Sequence, residues 1–80
     1  MKNAMIKEHE RVVLKAAIPA ESLEAGDVGT VVHIYRDGRA YEVELFTFAG
    51  ETITVATVDA ANVRPVGKRD ISHVRELQAA

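Results

Sequence analysis

The 80-residue chain has no cysteine and no tryptophan, and its aromatic content is limited to Tyr35, Tyr41, Phe46 and Phe48. The missing thiols exclude disulfides, thiolate metal sites and cysteine nucleophiles, and they fit a reducing compartment. No apolar run approaches the ~20 residues that span a bilayer. Met5-Ile6 gives way at once to Lys7-Glu8-His9-Glu10-Arg11, so no signal peptide is expected and the chain reads as cytoplasmic, with no membrane partner. Neither sign of charge dominates. Twelve acidic residues against ten basic ones give a net charge of −2, without the footprint of a non-specific nucleic-acid binder. A hydrophobic fraction of 48% sets the chain apart from disordered sequences. Repeats and low-complexity segments are absent.

What is present is a hairpin. Residues 28–36 and 39–46 are rich in β-branched and aromatic types and flank Asp37-Gly38, a strong two-residue turn signal. Such a turn sets Ile34 against Tyr41, Val32 against Val43 and Thr30 against Leu45 on one apolar face. The other face then pairs His33 with Glu42 and Val31 with Glu44. Phe48-Ala49-Gly50 reads as a three-residue loop with Gly50 left-handed, placing Ile53 opposite Leu45 and Val55 opposite Val43. Phe48 then stands at an exposed tip.

Around this hairpin, Glu10 to Lys15 reads as a first strand. Residues 16–27 form a long connection anchored by Leu23 and expected to fold over one end of the domain. Asp59-Ala60-Ala61 reads as one helical turn, and Asn62 to Val66 as a last strand. Pro65 confines that strand to an edge. Asp70 is a plausible N-cap, and Ile71, Val74 and Leu77 follow at helical spacing. The expected architecture is therefore all-β: a small five-stranded SH3-like barrel over residues 10–67, with a flexible N-terminus at 1–9 and a short C-terminal helical tail at 68–80. An open five-stranded sheet with OB-like closure is the alternative.

Gly26-Asp27-Val28-Gly29-Thr30-Val31-Val32, Tyr41-Glu42-Val43-Glu44 and Val63-Arg64-Pro65 resemble a group of short bacterial proteins classed as a domain of unknown function. The likeness runs from about Val12 to Leu77. It implies an SH3-like barrel and leaves the activity open. Such proteins are often encoded beside toxin-like or other accessory genes, which implies a protein partner, the chain being the partner or antitoxin-like component of a genetically linked bacterial protein. The same glycine-rich segment is more weakly similar to KOW motifs of ribosomal and transcription proteins, and to the nitrile hydratase β-subunit barrel. KOW segments usually come with a more basic surface, whereas Glu42, Glu44 and Glu51 lie on or near the corresponding strands.

Catalysis finds little footing. Ser22 and Ser72, the only serines, lack a nucleophile-elbow context, and Asp27, Asp37 and Asp59 sit at turns that aspartate stabilises. His9, His33 and His73 do not have zinc-helix spacing, so no metal or cofactor is expected. The His33/Glu42 pair reads as a solvated cross-strand pair. The chain is therefore expected to be a non-enzymatic protein-binding module. Its expected contacts are Arg36 and Arg39 beside the hairpin turn, Phe48 at the second tip, and Leu23 in the long loop. The alternative is a KOW-like nucleic-acid accessory domain using Arg36, Arg39, Arg64, Lys68 and Arg69. Phe46 is expected to be covered by the long loop or the tail, and a homodimer through an exposed strand edge is compatible with either reading.

Overall fold

A computed structural model describes residues 6–77. Its strands are β1 (Arg11–Leu14), β2 (Val28–Ile34), β3 (Ala40–Phe46), β4 (Thr52–Asp59) and β5 (Val63–Pro65). They form one antiparallel sheet in the order β4-β3-β2-β1-β5. Single 3₁₀ turns occupy Pro19–Glu21, Arg36–Gly38 and Ala60–Asn62, the last in the expected place before β5. The protein is all-β with five strands, but β4 and β5 remain edges and the sheet does not close into a barrel. Residues 71–77 contain no helix, so the described part of the tail departs from its helical reading; residues 78–80 lie outside the described residues. The expected flexible segment 1–9 is described only from Ile6 onward.

The long loop crosses the open side of the sheet. Ile18 and Leu23 pair across its 3₁₀ turn, and Leu23 is buried at 3% exposure. Lys15 donates its N–H to the Asn62 carbonyl at 2.7 Å, and the Thr54 hydroxyl donates to Glu21 at 2.8 Å. The loop therefore reaches from the β5 side to the far edge strand. Beneath it lie Val12, Leu14, Val31, Val43, Leu45, Ala56, Val58 and Val63, with Tyr41 at the rim.

Two bulges set the register. Ile34 opposes Tyr41 and His33 opposes Glu42, as the turn signal implies. Val32 is then extruded, so Val31 rather than Val32 meets Val43, and Thr30 meets Glu44 rather than Leu45. Val31 is fully buried and Val32 is 37% exposed. The adjacent valines fit either face equally well, and alternation alone cannot choose between them. The connection is also longer than a two-residue turn. Tyr35 donates to the Ala40 carbonyl at 3.0 Å and accepts from Gly38 at 2.9 Å, leaving residues 36–39 as the loop.

The second hairpin has the expected loop, with Thr47 donating to the Glu51 carbonyl at 2.9 Å and Gly50 at φ 90°. A bulge beside Phe46 then moves β4 by one residue. Leu45 opposes Thr54, Val43 opposes Ala56 and Tyr41 opposes Val58. Val55 is thus turned outward beside Glu44, which corrects its expected place in the core. β4 carries apolar residues in both phases, and burial of Val58 next to the Ala60–Asn62 turn selects one.

Gly29 is buried opposite Val12 of β1, with its open side against β3. A Cβ at this position would stand 2.6 Å from Val43 Cγ1 and 2.7 Å from the Glu44 carbonyl oxygen. The second of these is main chain and cannot swing aside. Gly29→Ala should cost about 1–3 kcal/mol, the range of overpacked cores, in urea unfolding. Val31→Ala should cost about 1–3 kcal/mol by loss of burial, and Val32→Ala should stay within about 0.5 kcal/mol. Equal effects at the two valines would contradict the bulge.

Candidate functional site

The Phe48 turn is stiff for its length. Gly50 donates to the Thr47 carbonyl at 2.9 Å, and Glu51 donates to Thr47 Oγ1 at 3.1 Å. These bonds pin a loop whose positive-φ position is filled by glycine, the residue that adopts it without a Cβ penalty. Phe48 projects from it at 91% exposure. Phe46, at 41%, and Val28, at 46%, lie alongside, so the expected cover over Phe46 does not form. Together with Thr30 and Arg11 they line a shallow groove of about 280 Å³. Arg11 is the one charged side chain on its wall. An exposed aromatic beside half-exposed apolar neighbours is the usual make-up of a contact hot spot.

The other expected contacts do not join this groove. Arg36 and Arg39 flank the turn at the opposite end of β3, seven residues away along the strand. Asp37 there has φ 70° and Gly38 φ 65°, and both arginines are exposed. Leu23 is absorbed into the core and offers no surface to a partner. Arg64 makes two hydrogen bonds to the Asp70 carboxylate, at 2.9 and 2.8 Å. Lys68 and Arg69 lie exposed in the turn between these partners.

Asp70 does not cap a helix. Its carboxylate closes the turn by accepting the Gly67 N–H at 2.6 Å. The Arg64 guanidinium, and then that N–H, hold its carboxyl down at about 2. A second pair is set deeper. Arg75 donates through Nε and Nη2 to Asp27 at 2.8 and 2.7 Å, and to the Ser22 carbonyl at 3.2 Å. The Arg75 hydrogen bonds hold the Asp27 carboxyl below its ordinary value, against the opposing effect of burial. The same carboxylate accepts the Glu24 N–H at 2.8 Å, while the Asp27 carbonyl accepts from Leu14 at 2.9 Å. One residue thus closes the loop, pairs with β1 and holds the tail. The tail's own apolar residues stay out in water: Ile71 is 92% exposed and Val74 66%.

The outer face of the sheet carries a polar network. The Tyr35 hydroxyl and the Thr57 hydroxyl both donate to Glu42, the latter at 2.8 Å, and Thr52 donates to Glu44 at 2.7 Å. His33 lies edge-on to Tyr35 at 4.9 Å. The Tyr35 and Thr57 hydrogen bonds lower the Glu42 pKa, and Glu42 in turn raises that of Tyr35. A carboxylate stabilised in its charged form is a poor proton acceptor near neutrality. No cluster of three or more His, Cys, Asp or Glu side chains arranged for a metal occurs among the described residues.

Residues 8–65 match a family described as a domain of unknown function, DUF4926. The chain belongs to this family. The matched span ends at Pro65, the last residue of β5, and so holds every strand. It includes Phe48, Gly29 and Asp27 and leaves Arg75 and the tail outside, a shorter reach than the stretch to Leu77 over which the resemblance was expected. No curated protein and no solved structure matches the chain.

Sequence reasoning missed the Asp27–Arg75 pair, because nothing local connects positions 48 residues apart. It also missed the joint hold of Tyr35 and Thr57 on Glu42, which depends on the β4 register.

The Asp27 carboxyl is depressed in the folded protein. The stability it lends is therefore present above the ordinary carboxylate range and is lost as pH falls through the lowered value. Arg75→Ala should free residues 71–77, read as faster amide exchange and earlier proteolysis there, with β1 to β5 still protected. Acidification of the native protein well below pH ~4 should produce the same release.

Proposed function

We propose that this DUF4926 chain is a non-enzymatic protein-binding module whose contact surface is the groove beside Phe48. The observation that carries this reading is a nearly fully exposed phenylalanine on a turn braced by three hydrogen bonds. Such a residue costs little ordering entropy on binding, because its main chain is already fixed. A single cation, Arg11, at the edge of the groove suits an apolar segment with an acidic neighbour. The finer architecture we propose is SH3-like: a coiled five-stranded sheet with a long first loop packed across its open side. A genetically linked bacterial protein, such as the toxin of a pair, is the partner in keeping with the family resemblance. The proposed setting is the cytoplasm.

A nucleic-acid role receives less support. Arg64 is committed to Asp70, and the outer sheet face carries Glu42 and Glu44. Arg36, Arg39, Lys68 and Arg69 remain as its candidates.

The test is affinity capture of the tagged chain from its host's lysate, with and without nuclease, alongside Phe48→Ala and the double variant Arg36→Glu/Arg39→Glu. One protein retained in near-stoichiometric amount in both halves, lost with Phe48→Ala and kept with the double variant, is the expected result. The Phe48→Ala chain should melt within about 0.5 kcal/mol of the parent, as surface substitutions do. Retention of nucleic acid alone, abolished by nuclease and by the double variant, would overturn the proposal.

A further inference from the structure

The two edges of the sheet are unlike. β5 is three residues long and ends in Pro65, two devices that blunt an edge. β4 runs for eight residues, Thr52 to Asp59, with no proline, no lysine or arginine, and a single charge at its end. Its bulge lies at the Thr52 end, so the stretch from Thr54 to Asp59 is regular.

The direction of its main-chain groups follows from one bond. Ala60 donates to the Arg39 carbonyl at 2.8 Å. Stepping back by twos, Val58, Ala56 and Thr54 turn their N–H and C=O groups toward β3. Val55, Thr57 and Asp59 turn theirs outward. Among the described residues, no main-chain hydrogen bond from a loop reaches those outward groups. The long loop meets β4 through Glu21 and Thr54. A groove of about 170 Å³ separates Thr57, Val58 and Asp59 from Ala16, Ala17 and Ile18.

We infer that β4 pairs antiparallel with β4 of a second copy of this chain, joining two sheets across a two-fold axis. The outward residues limit the registers. With the axis at Ala56, Val55 faces Thr57 of the second copy and exchanges main-chain hydrogen bonds with it. Ala56 then faces its own equivalent in a non-hydrogen-bonded pair, where side chains come closest and a methyl fits. Thr54 faces Val58. No two ionised side chains stand opposite each other in this register. An axis at Val55 would instead set Asp59 against Glu51, two like charges, which is destabilising. An axis at Thr57 sets Asp59 against Val55 and is equally free of like charges, so the occupant is a copy whose β4 meets itself without repulsion in two registers. This surface is separate from the Phe48 groove and does not depend on it.

The test combines mass by sedimentation or light scattering over a wide concentration range with residue-level amide exchange on the unaltered chain. The mass should double as concentration rises, and the outward amides of Val55 and Thr57 should slow with it, while the inward amide of Ala56 does not change. Val55→Lys/Thr57→Lys should remain monomeric throughout. Within one sheet these lysines face Glu44 and Glu42, so the fold is retained. Phe48→Ala should dimerise like the parent, which separates this inference from the binding role of the groove. A monomer at every concentration would overturn the proposal. So would a lysine variant that dimerises unchanged, or protection that appears elsewhere than on the outward amides.

Discussion

The close approach of β2 to β3 at Gly29 is the constraint on which the other contacts rest. A main-chain oxygen, Glu44 O, occupies the space any side chain would need. Because β2 can lie this close, its first half pairs with β1 and its second half with β3. That division curls the sheet enough for Val12 and Leu14 to share one core with Val43 and Ala56. A straighter β2 would leave its two halves without a shared core, with too little apolar area on each for an 80-residue chain to stay folded.

Much of this was legible from residue types. Asp37-Gly38 located the first reversal, Gly50 the positive-φ position of the second, and Pro65 an edge. Leu23 was recognisable as the anchor of the long loop and, being an anchor, is unavailable to a partner. The faces of β2 and β4 were harder to read. Val31-Val32 and Val55-Ala56 place apolar residues on both phases of the alternation, and the choice between them falls to packing partners distant in sequence. A bulge has no local signature when its neighbours are all β-branched.

The tail shows a different limit. Ile71, Val74 and Leu77 have the spacing of an amphipathic helix, yet no apolar surface receives them, and a short helix without burial does not pay for its nucleation. Charge takes over where burial fails. Arg64 and Arg75 each find an aspartate, and the segment is held by its cations while its apolar side chains remain wet. The candidate groove was only partly legible. Phe48 stood out as a tip residue, but its grouping with Phe46 and Val28 required the hairpin end and the start of β2 to meet.

The short, proline-ended β5 bears on stoichiometry. A sheet that accepts neighbours at both margins grows without limit, in the manner of a filament. Here β5 offers three residues, the last a proline, so pairing through β4, as proposed, would leave no comparable strand edge among the described residues. The resulting assembly is isologous and closed at two copies. On the pairing proposed for β4, proline at position 65 would act as a chain terminator for self-assembly, a property expressed between molecules and set by a residue far from the junction.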